Sequence, residues 1–227
     1  KPLMKQIKAR GIQVIANAGG VNPSACRDAL VAAAQAEGVD LKIAAVLGDD
    51  LMPQVEAMRA AGTTEMFSGA AFPAKVMSAN AYLGAFPIAA ALAAGADIVV
   101  TGRCVDSAVT LAPLIARFGW KADDLDKLAQ GSLAGHLIEC GTQATGGNYT
   151  DWASVPGWDD MGFPIAECRA VFATTVVIGC RTVGSAAFGQ FVKLGLGHAN
   201  FNAFATAAPV RFHDNRHLLH DGAQSFQ

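Results

Sequence analysis

Residues 96–119 read ADIVVTGRCVDSAVTLAPLIARFG, and the fold is decided there. ADIVV is a short, continuous apolar run rich in β-branched residues, as expected of a strand covered on both faces rather than one with a solvated side. A polar turn, TGRCVDS, follows, and AVTLAPLIARFG then has the apolar spacing of a helix. Working backwards, the same cycle recurs. IQVIA, residues 12–16, is a strand followed by NAGGVNP and the helical SACRDALVAAAQAEG. LKIAAVLG is a second strand that ends at Asp49 and Asp50 before the helix-like LMPQVEAMRAAG. A further helix is expected at roughly residues 80 to 94. Strands alternating with helices imply right-handed crossovers and an α/β fold around a mainly parallel sheet. An open sheet is the preferred arrangement and a barrel-like one the runner-up.

Composition is consistent with a globular chain. Of 227 residues, 52% are apolar and 16% charged, which is opposite to the balance that keeps a chain disordered. Seventeen basic and 19 acidic residues give a net charge of -2. That leaves no electrostatic footprint for nucleic acid and no polybasic patch for a membrane surface, so a small molecule is the expected partner. The longest apolar run contains Asp97 and is too short to span a bilayer. The five cysteines, Cys26, Cys104, Cys140, Cys168 and Cys180, form no CxxC pair and no complete disulfide set. With no apolar leader in KPLMKQIKAR, a cytoplasmic location is expected.

In a parallel sheet, ligands bind beyond the carboxyl ends of the strands. Three turns, NAGGVNP, GDD and TGRCVDS, follow strands and are expected to open onto that edge. Asn17, Gly19, Gly20 and Asn22 are substrate-binding candidates, because glycines permit close backbone approach and amides at a helix start favour an anion. A tight connection explains them about as well. Arg103 suits a carboxylate or phosphate through its planar fork, with Asp106 as a catalytic candidate; an Arg103–Asp106 ion pair steadying the turn is the plainer reading. Cys104 is reactive only where a neighbouring cation or helix start lowers its pKa, and more often such a residue is simply a small buried one. Nucleotide binding is a minor option, since no GxGxxG follows the first strand and Asp49 and Asp50 are the nearest acidic partners.

A second polar stretch, HLIECGTQATGGNYTDW, spans His136 to Trp152. If GSLAGHLIECG is helical, His136, Glu139 and Cys140 stand at i, i+3 and i+4 on one face, able to share acid-base or nucleophilic work or to ligate a metal. Most single histidines beside an acid are structural. Thr145, Gly146, Gly147, Asn148 and Asp151 then form a loop suited to substrate binding. Whether a metal or any other cofactor is bound is left open; Asp49, Asp50, Asp106, His136 and Glu139 would suit a hard cation if they met in space. At the C-terminus, His213, His217 and His220 would align as ligands on a helix, but incidental histidines are the better reading.

NAGGVNP, GDD, ANAYLGAFPIAAALAAGADIVVTGRCVDSAVTLAPLIARFGW, GSLAGHLIECGTQATGGNYTDW and VPGWDDMGFPIAE together resemble the acyclic terpene utilisation family, the AtuA-type proteins. The resemblance covers residues 1–169, leaving 170–227 as a divergent tail. It implies a place in bacterial catabolism of acyclic isoprenoids such as citronellol and geraniol, whose intermediates travel as coenzyme A thioesters. It supplies no reaction. Family members usually begin with a glycine-rich segment and a further strand and helix, and continue past Glu167 with an Asp-Gly turn. Their absence here suggests a gene fragment or an altered reading frame.

Two classes of function follow. One is an enzyme, a lyase or hydrolase in class, acting on a small carboxylate or acyl-coenzyme A; it requires residues 103 to 106 and 136 to 151 to meet in one cleft. The other is a non-catalytic subunit or scaffold, within a homo-oligomer or beside a partner subunit.

Overall fold

The computed structural model describes residues 3–20, 22–143, 150–154, 156, 158, 163–170, 175–178 and 210–213. The chain divides into two compact units, Lys1–Leu128 and Ala129–Gln227.

In the first unit, α1 (Met4–Arg10), β1 (Val14–Ala16), α2 (Pro23–Ala36), β2 (Ile43–Val46), α3 (Val55–Ala60), α4 (Ala85–Ala93), β3 (Ile98–Thr101) and α5 (Ala108–Phe118) alternate as the sequence implies. The three strands form an open sheet of order β1-β3-β2, parallel throughout, with Val14 and Ile43 both level with Ile98. The stretch that opens the sequence reading therefore supplies the central strand. Every residue of β3 is buried, whereas β1 and β2, paired on one side only among the described residues, are half-buried except for the buried Val46.

The order β1-β3-β2 means that the chain crosses past one strand position through α2 and then steps back by one. Two right-handed crossovers in opposite directions place their helices on opposite faces. On one face, Ile98 and Val100 pack with Met4 of α1, Ala34 of α2 and Leu41, flanked by Cys26, Leu30, Val14 and Ile43. Val99 and Thr101 alternate to the other face, and both are fully buried. There α4 packs on β2 and β3 and α5 packs on α4, burying Ile88 and Leu114 completely.

The amino-terminal edge of the sheet is closed by Asp97. Its carboxylate accepts the Lys42 N–H at 2.8 Å and the Lys8 ammonium at 3.1 Å, while its carbonyl accepts Val14 N–H at 2.9 Å. Burial works against the charge, but the Lys42 hydrogen bond and Lys8 outweigh it and hold the carboxyl below the usual carboxylate range. A depressed folded-state pKa contributes stability that is present above the unfolded value and lost as pH falls through the folded one. Asp97→Ala is expected to cost about 1 to 2 kcal/mol near neutral pH. In urea unfolding, its gap to the parent chain should narrow as pH drops below about 4. A gap that stays constant down to about pH 2 would sink the assignment.

Two expectations are corrected in detail. The helix expected at roughly residues 80 to 94 begins at Ala85, because residues 80–83 are extended and pair elsewhere: Asn80 bridges Asp50, and Leu83 bridges Cys104. LMPQVEAMRAAG splits into a 3-10 turn at Met52–Gln54 and the short α3, since the Asp50 carboxylate accepts Met52 N–H at 2.9 Å and Pro53 follows.

In the second unit, α6 (Leu125–Glu139) starts just ahead of the boundary and buries Gly131, Ala134, Gly135 and Ile138. A second sheet has order β5-β4-β6, with β4 (Pro164–Arg169) antiparallel to β5 (Thr175–Ile178) and parallel to β6 (Val210–His213). His213 thus ends a strand rather than opening a helix, and His217 and His220 lie outside the described residues.

Candidate functional site

Because β1, β2 and β3 run parallel, the three polar turns do leave from one edge of the sheet. The turn after β1 is packed tightly across the end of β3. Gly19 is buried, and a Cβ there would lie 2.6 Å from Pro23 Cβ and 2.7 Å from the Thr101 carbonyl oxygen. Gly20 has φ 55°, the left-handed region that glycine adopts freely. Asn22 caps α2 by accepting Ala25 N–H at 3.0 Å, so part of the helix start is satisfied by the chain itself. Asn17, Gly20 and Asn22 are exposed. Gly19 serves the tight connection.

The turn after β2 delivers Asp49 inward. It is 3% exposed, and its Oδ2 accepts Arg103 N–H at 2.7 Å and the Asn80 amide at 2.9 Å. Its carbonyl accepts Ala81 N–H at 2.7 Å. One buried carboxylate therefore ties the ends of β2 and β3 to the segment 80–83. Asp50 stays exposed at the surface.

The turn after β3 carries the exposed cation. Leu83 N–H donates to Arg103 O at 3.1 Å and Val105 N–H donates to Leu83 O at 2.9 Å, so residues 82–83 run alongside 103–105. This brings Tyr82 under Arg103, whose guanidinium carbon lies 4.6 Å from the ring centroid while one of its N–H groups donates to the Tyr82 hydroxyl at 2.9 Å. The hydrogen bond that steadies Arg103 thus goes to Tyr82, and Asp106 acts on it through space; both effects keep the guanidinium firmly protonated. Cys104 points the other way and is fully buried, and burial together with the charges of Asp106 and Asp49 pushes its thiol up. A buried thiol shifted upward is a packing residue, not a nucleophile.

His136, Glu139 and Cys140 lie in the second unit, apart in sequence from this turn. The helix supports i, i+3 spacing for His136, which is exposed, and Glu139, which is half-buried; α6 ends at Glu139, and Cys140 is buried just beyond it. Asp151 is exposed, and its carbonyl accepts both the N–H and hydroxyl of Ser154. Thr145, Gly146, Gly147 and Asn148 lie outside the described residues. Among the described residues, no three His, Cys, Asp or Glu side chains gather as a metal site. Nor is any described helix long and apolar enough to cross a membrane.

Asn80 and Tyr82 were not legible as site residues, because the contacts that recruit them come from 21 or more positions away. In the sequence the ANAYLG segment stands only as part of a longer pattern.

Fold and edge together define an α/β protein with an open parallel sheet and an arginine presented at its carboxyl edge. The chain belongs to the family described as acyclic terpene utilisation family protein AtuA, whose model matches residues 1–180. Membership places it in acyclic terpene utilisation. No curated protein and no solved structure matches it.

Proposed function

We propose that this chain binds an anionic intermediate of acyclic terpene breakdown, a small carboxylate or an acyl-coenzyme A ester, at the carboxyl edge of β1–β3. The observation that carries the proposal is Arg103: exposed at the end of the central strand, stacked on Tyr82, and held at its own N–H by a buried carboxylate. A guanidinium fixed by stacking and one hydrogen bond keeps its other N–H groups for a ligand, and less freedom is lost when an anion docks. Asn17, Gly20 and Asn22 supply polar groups from the neighbouring turn. Asp106, half-buried three residues from Arg103, is the acid-base candidate within this turn. His136, exposed in the last turn of α6, with Glu139 and Cys140 beside it in sequence, is a separate acid-base candidate of the second unit.

Calorimetric titration of short carboxylates and acyl-coenzyme A esters against the parent chain and Arg103→Ala tests the proposal. Loss of the arginine should weaken binding at least tenfold, roughly 1.4 kcal/mol, while stability changes by less than about 1 kcal/mol. Equal affinities would remove Arg103 from the site. In that event the reading as a non-catalytic subunit gains ground. One observation favours it: Met66 and Phe67, 83% and 88% exposed, stand at the tip of a loop that Glu65 ties down through Ser68 and Phe67.

A further inference from the structure

The carboxyl edge carries little positive charge for a site that must meet coenzyme A. Residues 17–22 contain no charged side chain, residues 47–54 contain Asp49 and Asp50, and residues 101–107 contain Arg103 and Asp106. The segment 79–84 adds none. A coenzyme A ester brings several phosphate charges, and phosphate sites are ordinarily built from clustered Arg and Lys or from free helix-start amides. Here the start of α2 is capped by Asn22; α4 and α5 have no side-chain cap, but Ala108 N–H at the start of α5 is already taken by the Val105 carbonyl at 2.8 Å, and Lys8 and Lys42 lie at the opposite edge beside Asp97. Arg59 is likewise engaged, with Glu56 and with the Pro73 and Ala74 carbonyls.

Asp106 is the charged neighbour of Arg103, and the exposed side chains beside it in these segments are otherwise apolar. Tyr82 is 59% exposed and lies under the guanidinium, and Val105, 43% exposed, is joined to the same strip through Leu83. Leu47, 56% exposed, extends β2 one residue past the Val46–Thr101 pair. One exposed cation and three solvent-facing apolar side chains along this edge match a ligand with one negative charge and an apolar body.

We infer that, of the two ligand classes above, the edge takes the free monocarboxylate: its carboxylate pairs with Arg103 and its apolar tail lies along Tyr82, Val105 and Leu47. The inference rests on the reading of Arg103 as the anion-holding group. Asp49, Asp50 and Asp106 disfavour further negative charge nearby, which raises discrimination against the thioester by repulsion as well as by missing contacts.

Titration of the full chain with acetate, butanoate, octanoate, octanoyl-coenzyme A and coenzyme A tests this. Octanoate should bind at least tenfold more tightly than acetate, because each methylene removed from water adds to affinity, and at least tenfold more tightly than octanoyl-coenzyme A. Val105→Ser, a change at an exposed position that adds no charge, should weaken octanoate several-fold and leave acetate, which has no tail to lose, nearly unchanged. Octanoyl-coenzyme A binding as tightly as octanoate, with both lost in Arg103→Ala, would overturn the inference while leaving Arg103 as the anion site. Affinity independent of tail length, or untouched by Val105→Ser, would overturn the apolar track. Binding of every ligand unchanged in Arg103→Ala would overturn the underlying reading itself.

Discussion

Gly102→Ala should destabilise the first unit by about 3 to 5 kcal/mol and lower its melting temperature by roughly 10 °C or more. A Cβ built on Gly102 falls inside the van der Waals shell of Cγ and both oxygens of the Asp49 carboxylate, the farthest of the three at 2.5 Å. The backbone there is not in the left-handed region, so the demand for glycine comes from close approach alone. Relief is costly on either side. Moving Asp49 breaks its bonds to Arg103 N–H and Asn80, and moving Gly102 disturbs its N–H bond to Val46 O, where β2 and β3 part. Chemical unfolding measures the loss, and a change below about 1 kcal/mol would show that the carboxylate can swing clear without cost. The methyl group should also loosen the Arg103 turn, so ligand affinity in whatever fraction stays folded should fall with stability.

The frame of this unit was legible because three strands, α2 and α5 each announce themselves locally. ADIVV is continuous and apolar, and the central strand it forms is buried on both faces. SACRDALVAAAQAEG carries helical spacing from end to end, and the helix it predicts appears as Pro23–Ala36. What sequence could not show was pairing across distance. Residues 80–83 sit ahead of a run that favours a helix, yet the amide and carbonyl of Leu83 are claimed by Arg103 and Val105, and the Asn80 side chain by Asp49. Such competition is settled by tertiary contacts that no window of a dozen residues contains. For the same reason the sequence allows an ion pair with Asp106 as one of two readings for Arg103 but does not show that its hydrogen-bond partner is Tyr82. The i, i+3 relation of His136 and Glu139 was readable from helical geometry alone, whereas the glycine loop at 145–148 lies outside the described residues.

Asp49→Ala should cost about 3 kcal/mol, and Asp49→Asn roughly half of that. The carboxylate is 3% exposed and its Oδ2 is the acceptor for both Arg103 N–H and the Asn80 amide, so alanine leaves two donors without their partner in a site that admits little water. Asparagine can still present a carbonyl oxygen to those donors, but it loses the charge that strengthens both bonds. Its amide must also face Gly102, where space for extra hydrogens is least. A ratio near two between the variants would assign the bracket to charge-assisted hydrogen bonding; equal losses would mean that the uncharged amide cannot replace the carboxylate at all, and a nearly silent Asp49→Asn would assign the bracket to packing. Combining Asp49→Ala with Gly102→Ala gives the sharper result. The clash disappears when the carboxylate is gone, so the double variant should lose clearly less than the sum of the singles, with a coupling of about 2 kcal/mol or more. Strict additivity would mean that the two residues do not meet. Ligand affinity should follow the same order. Asp49 fixes the backbone of Arg103 and, through Asn80 and Ala81, the strand that carries Tyr82, so its removal frees both members of the stacked pair at once. Arg103→Ala removes the anion contact and spares the fold, whereas Asp49→Ala damages both, and that contrast separates the residue that touches the ligand from the one that holds it in place.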